Sequence, residues 1–204
     1  MKNLKLEMHF AAAAALCAAG AANAAIVVWN VNEAIPLTTD GMYFNVETQT
    51  TGLTGTGTPG WDLNPYGGTN LAFYWTGSGA ACVRLNPSGS FGSNTMSNLS
   101  QGFSIGAQMT GTASFGGSQP SFTTTQPGKW NFNAINYFGF RFTNAAGQIR
   151  YAWGAMSVGA TATTRTLLTI AYEDSGGSIE VGAVPAPGAI ALLGVAGLAS
   201  RRRR

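Results

Sequence analysis

The sequence predicts an all-β protein: an antiparallel β-sandwich of jelly-roll type, preceded by a signal helix and followed by a short transmembrane helix. Three observations carry this expectation. The 204 residues include 28 glycines and only 9% charged residues, against roughly 25% charge in an average soluble chain, and Gly, Thr, Ser and Asn are poor helix formers. Short runs of β-branched and aromatic residues recur between clusters of Gly, Ser, Thr, Asn and Pro, the pattern of strands and turns. In the C-terminal third, apolar side chains alternate with period two on consecutive segments joined by short connections, as in an antiparallel meander. So little charge also excludes a coiled coil, a nucleic-acid-binding surface and an acidic disordered tail.

The first element is an export signal over residues 1–24. Lys2 and Lys5 give a basic start, residues 10–22 form an apolar run, and Ala22 and Ala24 supply the small-residue pattern of signal peptidase, with cleavage before Ala25. The run is too short to span a membrane. A buried N-terminal helix is the alternative, but alanines bring little apolar area to a core.

The folded domain is expected over residues 25–183. Ile26 to Val31 and Met42 to Val46 read as strands, the second entered through the turn pair Asp40-Gly41. Thr51 to Gly60 and Asn64 to Gly68 read as breaker clusters, and Leu71 to Trp75 as a core strand. Ala81 to Leu85 alternates like a strand, Asn86 to Gln101 has no period and reads as a long loop, and Phe103–Ala107 and Ala113–Phe115 are weaker strands. Nine to eleven strands result, at spacings suited to a sandwich or barrel.

The last third is better defined. In Tyr137 to Phe142, Phe138, Phe140 and Phe142 share one face while Tyr137, Gly139 and Arg141 share the other. Asn144 to Gly147 closes a hairpin. The strand returning from Ile149 to Val158 puts Ile149, Tyr151, Trp153 and Ala155 on one face, and Thr163 to Tyr172 adds a third strand. Each aromatic buries on the order of 150–250 Å², so this domain is large enough for a core without crosslinks.

After this domain comes Val184-Pro185-Ala186-Pro187-Gly188, an uncharged stretch to Ser200, and then Arg201-Arg202-Arg203-Arg204. The prolines stop a helix and act as a stiff spacer. The apolar stretch of 13 residues from Gly188 would be only about 20 Å long as a helix, short of a hydrocarbon core of about 30 Å. The arginines hold its end in the cytoplasm. Proline spacer, short apolar helix and arginine cluster together resemble the PEP-CTERM sorting signal, with Ala186 where that family usually has glutamate. The resemblance implies exosortase processing near Pro185–Gly188, transient anchoring in the inner membrane, and delivery to the cell surface or matrix; an ordinary C-terminal anchor is the alternative. Gly139-Phe140-Arg141-Phe142, Tyr151-Ala152-Trp153, Ala171-Tyr172-Glu173 and Ile179-Glu180-Val181-Gly182 also resemble a module common in proteins with such tails, which implies a secreted β-rich domain. Ala152 stands for that module's glycine, and Ala155 for a residue that is usually polar.

Setting both ends aside changes the charge. Of 11 Lys+Arg and 8 Asp+Glu, Lys2, Lys5 and Arg201 to Arg204 belong to the ends, as does Glu7. The domain keeps five bases against seven acids, so the net positive charge of the chain says nothing about nucleic acid as a partner. His9 and Cys17 also lie in the signal segment, which leaves no histidine in the domain and Cys82 as its one thiol. Neither a Ser-His-Asp arrangement nor a histidine-bound metal is therefore available. Cys82 is expected as a small buried hydrophobe, with intermolecular pairing as the alternative.

Glu33, Asp40, Glu47, Asp62, Glu173, Asp174 and Glu180 are the carboxylates of the domain. Glycoside hydrolysis needs two facing each other across a cleft, about 5–10 Å apart, and no strand spacing here pairs them. Asp62 with Asn64, and Glu173 with Asp174, offer too few oxygens for calcium. Arg141 and Arg150 are expected to pair with Glu173 or Asp174. Tyr43, Trp61, Tyr66, Tyr74 and Trp75 are the candidates for exposed rings that stack on sugars, with core packing as the alternative.

The functional expectation is an exported cell-surface or extracellular-matrix protein with a structural or interaction role in exopolysaccharide or biofilm. A lectin-like carbohydrate-binding module is the alternative, and a glycoside hydrolase the remote one. No catalytic residue, cofactor or metal is expected. The implied partners are signal peptidase, an exosortase-type enzyme, the inner membrane through the C-terminal helix, and extracellular polysaccharide; nucleic acid is not among them.

Overall fold

The computed structural model describes residues 25–77, 79–85, 95–123 and 128–185. The signal segment with Ala22 and Ala24, the tail from Ala186 through Pro187, Gly188 and Arg201–Arg204, and residues 86–94 of the expected loop lie outside the described residues. Among the described residues, all regular structure is β, and no helix there is long and apolar enough to cross a membrane.

The described residues hold fourteen strands rather than the nine to eleven expected, four of them only two residues long: β1 (Ile26–Ala34), β2 (Tyr43–Asn45), β3 (Thr50–Gly52), β4 (Leu63–Tyr66), β5 (Ala72–Trp75), β6 (Ala81–Arg84), β7 (Thr95–Met96), β8 (Ser104–Ile105), β9 (Ser114–Gly117), β10 (Gln119–Pro120), β11 (Ala134–Thr143), β12 (Ile149–Val158), β13 (Arg165–Glu173) and β14 (Ile179–Glu180). A six-stranded sheet runs β1-β13-β12-β11-β6-β9 and a four-stranded sheet runs β3-β2-β4-β5. Every pairing in both is antiparallel. β8 and β14 form a small antiparallel ladder, whereas β7 and β10 pair in parallel.

The meander β11-β12-β13 follows the expected alternation. Phe138, Phe140 and Phe142 are buried on one face of the sheet, where Phe138 meets Phe73 of β5 with ring centroids 5.2 Å apart and Phe140 meets Trp75 at 6.1 Å. The two larger sheets therefore pack through aromatic side chains. Directly across from Phe138 in the register is Gly154. A Cβ there would run into the Phe138 ring, so this strand position needs glycine for the ring to lie flat. The opposite face of the same sheet is also buried. Tyr151, Trp153 and Ala155 pack there with Ile105 of β8 and Ile179 and Val181 at β14. Trp153 Nε1–H donates to the Ala183 carbonyl (3.3 Å), and the next residue, Val184, is exposed.

Two expectations need correction. The segment Asn64-Pro65-Tyr66, expected as a breaker, belongs to β4. Proline is tolerated because the registered β2 pairing reaches only Leu63; Pro65 is buried beside the segment that precedes β2 and meets it through its carbonyl, which accepts Met42 N–H, so no ladder bond needs a proline N–H. The second half of the expected loop 86–101 is core. Met96 and Leu99 are buried, and the amides of Ser97, Asn98 and Leu99 donate to the carbonyls of Val83, Gly128 and Tyr137. Because each amide serves a different segment, no periodicity marks the stretch.

Candidate functional site

Alternation along the four-stranded sheet decides which rings reach the surface. On β5, Phe73 points into the core, so Tyr74 points away and is 62% exposed. On β2, buried Phe44 likewise turns its neighbour Tyr43 outward. Trp61, just before β4, fills the space between them: its ring centroid lies 4.9 Å from that of Tyr43, edge-on, and 6.1 Å from that of Tyr74. The three rings form one continuous aromatic strip. Gly55 lets the covering turn approach closely, since a Cβ there would press on Trp61 Nε1 and the Tyr43 ring.

Trp61 also lines a cleft of about 230 Å³ that has polar residues in its walls. Its walls come from both sheets: Asn45 at the end of β2 with Glu47 and Thr48 after it, Gly60 to Asp62 before β4, Thr76 and Gly77 after β5, and the β11–β12 hairpin at Thr143 to Ala145. Hydrogen bonds fix these walls. Asn45 Nδ2–H donates to the Pro59 carbonyl (2.9 Å), Val46 N–H donates to Asp62 Oδ2 (2.8 Å), and Thr76 Oγ1–H donates to the Trp61 carbonyl. Glu47 Oε2 accepts Ala145 N–H (2.9 Å), which ties the hairpin of one sheet to the other.

Two carboxylates thus share the cleft. Asp62 is only 6% exposed. Burial, aided by the negative charge of Glu47, raises its pKa from 3.8 to about 7 against the pull of the Val46 N–H. Beside Glu47, Asp62 therefore keeps its proton to a higher pH than an ordinary carboxyl does. A protonated carboxyl donates a hydrogen bond and an ionised one only accepts, so the pair can serve both sides of a hydroxyl group.

The other expected residues fall elsewhere. Trp75 stacks on Phe73 and Phe140 in the core, and Tyr66 is half-buried apart from the strip. Asn64 Nδ2 donates to the carbonyls of Asp40 and Met42 (2.7 and 3.0 Å) rather than joining Asp62. Glu173 Oε1 accepts Ser175 N–H and Asp174 Oδ1 accepts Ala25 N–H, each at 2.9 Å. Arg141 lies over the Phe115 ring at 4.5 Å and donates to the Gly79 carbonyl. Arg150 donates to the Ile149 carbonyl and to Gln148 Oε1, so the expected pairing of these arginines with Glu173 or Asp174 is not formed. Cys82 is fully buried, which pushes its thiol pKa up and keeps it from a partner chain. Among the described residues no group of three His, Cys, Asp or Glu is placed to hold a metal.

Sequence reasoning treated Glu47 and Asp62 separately. They are brought together by the turn through β3, which no strand-spacing rule detects. No family model matches the chain, and neither a curated protein nor a solved structure matches it.

Proposed function

We propose that this chain is an exported cell-surface or matrix protein whose domain, a β-sandwich over residues 25–183, binds extracellular polysaccharide. Its ends are removed by signal peptidase and by an exosortase-type enzyme acting at the tail that resembles a PEP-CTERM signal, after brief anchoring in the inner membrane. The sandwich reading is supported by the Phe73–Phe138 contact between the two larger sheets. Processing before Ala25 is supported by Asp174: a chain starting at Ala25 would place a charged ammonium 2.9 Å from that carboxylate.

The observation that carries the binding function is Trp61, which belongs at once to the aromatic strip and to the cleft. A pyranose presents an apolar C–H face and a rim of hydroxyls, and such a strip beside paired hydrogen-bonding groups meets both. The cleft is smaller than the roughly 300–1,000 Å³ of pockets that enclose a drug-sized ligand, so it takes one part of a glycan while a neighbouring unit lies on the exposed Tyr74. Aromatic anchors of this kind are typically worth about 2 kcal/mol or more. Tyr74→Ala and Trp61→Ala are each expected to weaken binding of the full chain to its host's exopolysaccharide about tenfold or more, measured by affinity electrophoresis. Tyr74 is exposed, so its variant should melt like the unaltered protein. Unchanged retention in both variants would overturn the reading.

One observation favours a second reading, glycan hydrolysis: the shared cleft of Asp62 and Glu47. Asp62 would protonate the glycosidic oxygen and Glu47 would deprotonate the attacking water. Release of reducing ends from the same polysaccharide, lost in Glu47→Gln, is the expected result. Absence of release from the unaltered chain leaves the binding function alone.

A further inference from the structure

A second and larger cleft, of about 520 Å³, lies elsewhere on the domain and shares no residue with the first. Strand ends locate it. Leu71 and Phe132, just before β5 and β11, line the second cleft, whereas Thr76 and Thr143, at the far ends of these strands, line the first. Thr161 and Ala145 bracket β12 in the same way. A ten-residue strand such as β11 is about 33 Å long, so the two clefts open at opposite ends of the domain.

The chemistry of the second cleft is uniform. Among the described residues its lining has no ionisable side chain; it combines threonine and serine hydroxyls and the side-chain amides of Asn70 and Gln119 with the rings of Phe122 and Phe132. Those rings are parallel, with centroids 4.4 Å apart and planes 3° from each other, and Phe132 is 42% exposed. The nearest cation, Arg165, is buried behind the wall with its Nη1 and Nη2 donating to backbone carbonyls, so an anionic ligand finds no exposed counter-ion and no reason to shed its water. A neutral ligand with many hydroxyls and a flat apolar face suits the lining on both counts. The volume lies within the range of pockets that enclose a small ligand.

The cleft is also held open by the fold. Arg165, only 3% exposed, donates from Nη1 to the carbonyls of Asn70 (2.6 Å) and Ala162 (3.3 Å), two wall residues on different loops. A guanidinium fixes both carbonyls in one plane, so the walls are set before any ligand arrives.

We propose that this cleft is a second saccharide site, selective for neutral sugars, and that the domain bridges two polysaccharide strands. The bridging half rests on the polysaccharide reading of the Trp61 cleft; the neutral-sugar half does not. Calorimetric titration of the full chain with cellohexaose, and with a uronic-acid hexamer of the same length, tests it. Phe132→Ala and Gln119→Ala, at the surface, are each expected to weaken cellohexaose binding about tenfold or more. The uronic-acid hexamer should show no binding that Phe132→Ala removes. Light scattering of a soluble neutral glucan should show clustering by the unaltered chain, lost in Phe132→Ala and in Tyr74→Ala alike. Cellohexaose binding that is absent, or unchanged in both cleft variants, overturns the second site. Binding that depends on Phe132 but not on Tyr74 or Trp61, without clustering, keeps the second site and overturns the bridge.

Discussion

Replacing Arg165 with Met is expected to lower the unfolding free energy by about 3–5 kcal/mol, because several buried carbonyls lose a charged donor at about 1–3 kcal/mol each. The side chain is at the start of β13 and its guanidinium serves four carbonyls. Besides Asn70 and Ala162, Nη2–H donates to Pro36 (3.1 Å) and to Gly67. These carbonyls come from the loops that follow β1, β4 and β12, so one residue gathers three connections at one end of the domain. Methionine fills much of the volume and restores none of the donors. Each buried carbonyl left unpaired costs about 1–3 kcal/mol, although Asn70 is exposed and regains water, which keeps the total below the sum of four. Arg165→Lys should fall between, because an ammonium carries the charge without the planar fork. Urea unfolding monitored by tryptophan fluorescence measures the change. A loss below about 1 kcal/mol in Arg165→Met would mean that the loops hold themselves. The same variant should weaken cellohexaose binding, since Asn70 and Ala162 are wall residues of the second cleft.

How far the sequence reveals this molecule depends on what each segment buries. The meander from Tyr137 to Tyr172 is legible because both faces of that sheet are covered, so β11 and β12 keep their alternation throughout, and only β13 breaks it, at the bulge between Leu167 and Thr169. β4 is hidden because proline usually marks a break, and only the short reach of the β2 pairing makes Pro65 harmless. In the aromatic strip, the i, i+2 rule was available: once Phe73 and Trp75 are assigned to the core, Tyr74 must face out. Trp61 had no such signal, since it precedes a strand and is placed by the Thr76 hydroxyl and the turn at Gly55. Arg165 also lay in plain view as one of five bases in the domain, yet its partners are backbone carbonyls, and these leave no trace in side-chain patterns.

Asp62→Asn is expected to abolish a pH dependence of stability between about pH 4 and pH 7. The carboxyl titrates near 3.8 when unfolded and near 7 when folded, so the folded state binds the proton more tightly. Below pH 4 both states carry it, and the contribution of Asp62 to stability is fully present. As pH rises toward 7, the unfolded chain ionises while the folded one stays neutral, and stability falls. Above 7 both are ionised and the loss is complete, at most about 4 kcal/mol for a shift of this size. Asparagine does not ionise, and its Oδ1 can still accept the Val46 N–H that Asp62 Oδ2 accepts. Urea midpoints at pH 4, 6 and 8 should therefore fall in the unaltered chain relative to Asp62→Asn, with the variant the more stable at pH 8. Parallel curves would show that Asp62 ionises freely in the folded state. The same titration bears on the ligand. Below pH 7 the protonated Asp62 donates to a sugar hydroxyl and above it only accepts, so glycan affinity at the Trp61 cleft should change across pH 7 in the unaltered chain and stay level in Asp62→Asn.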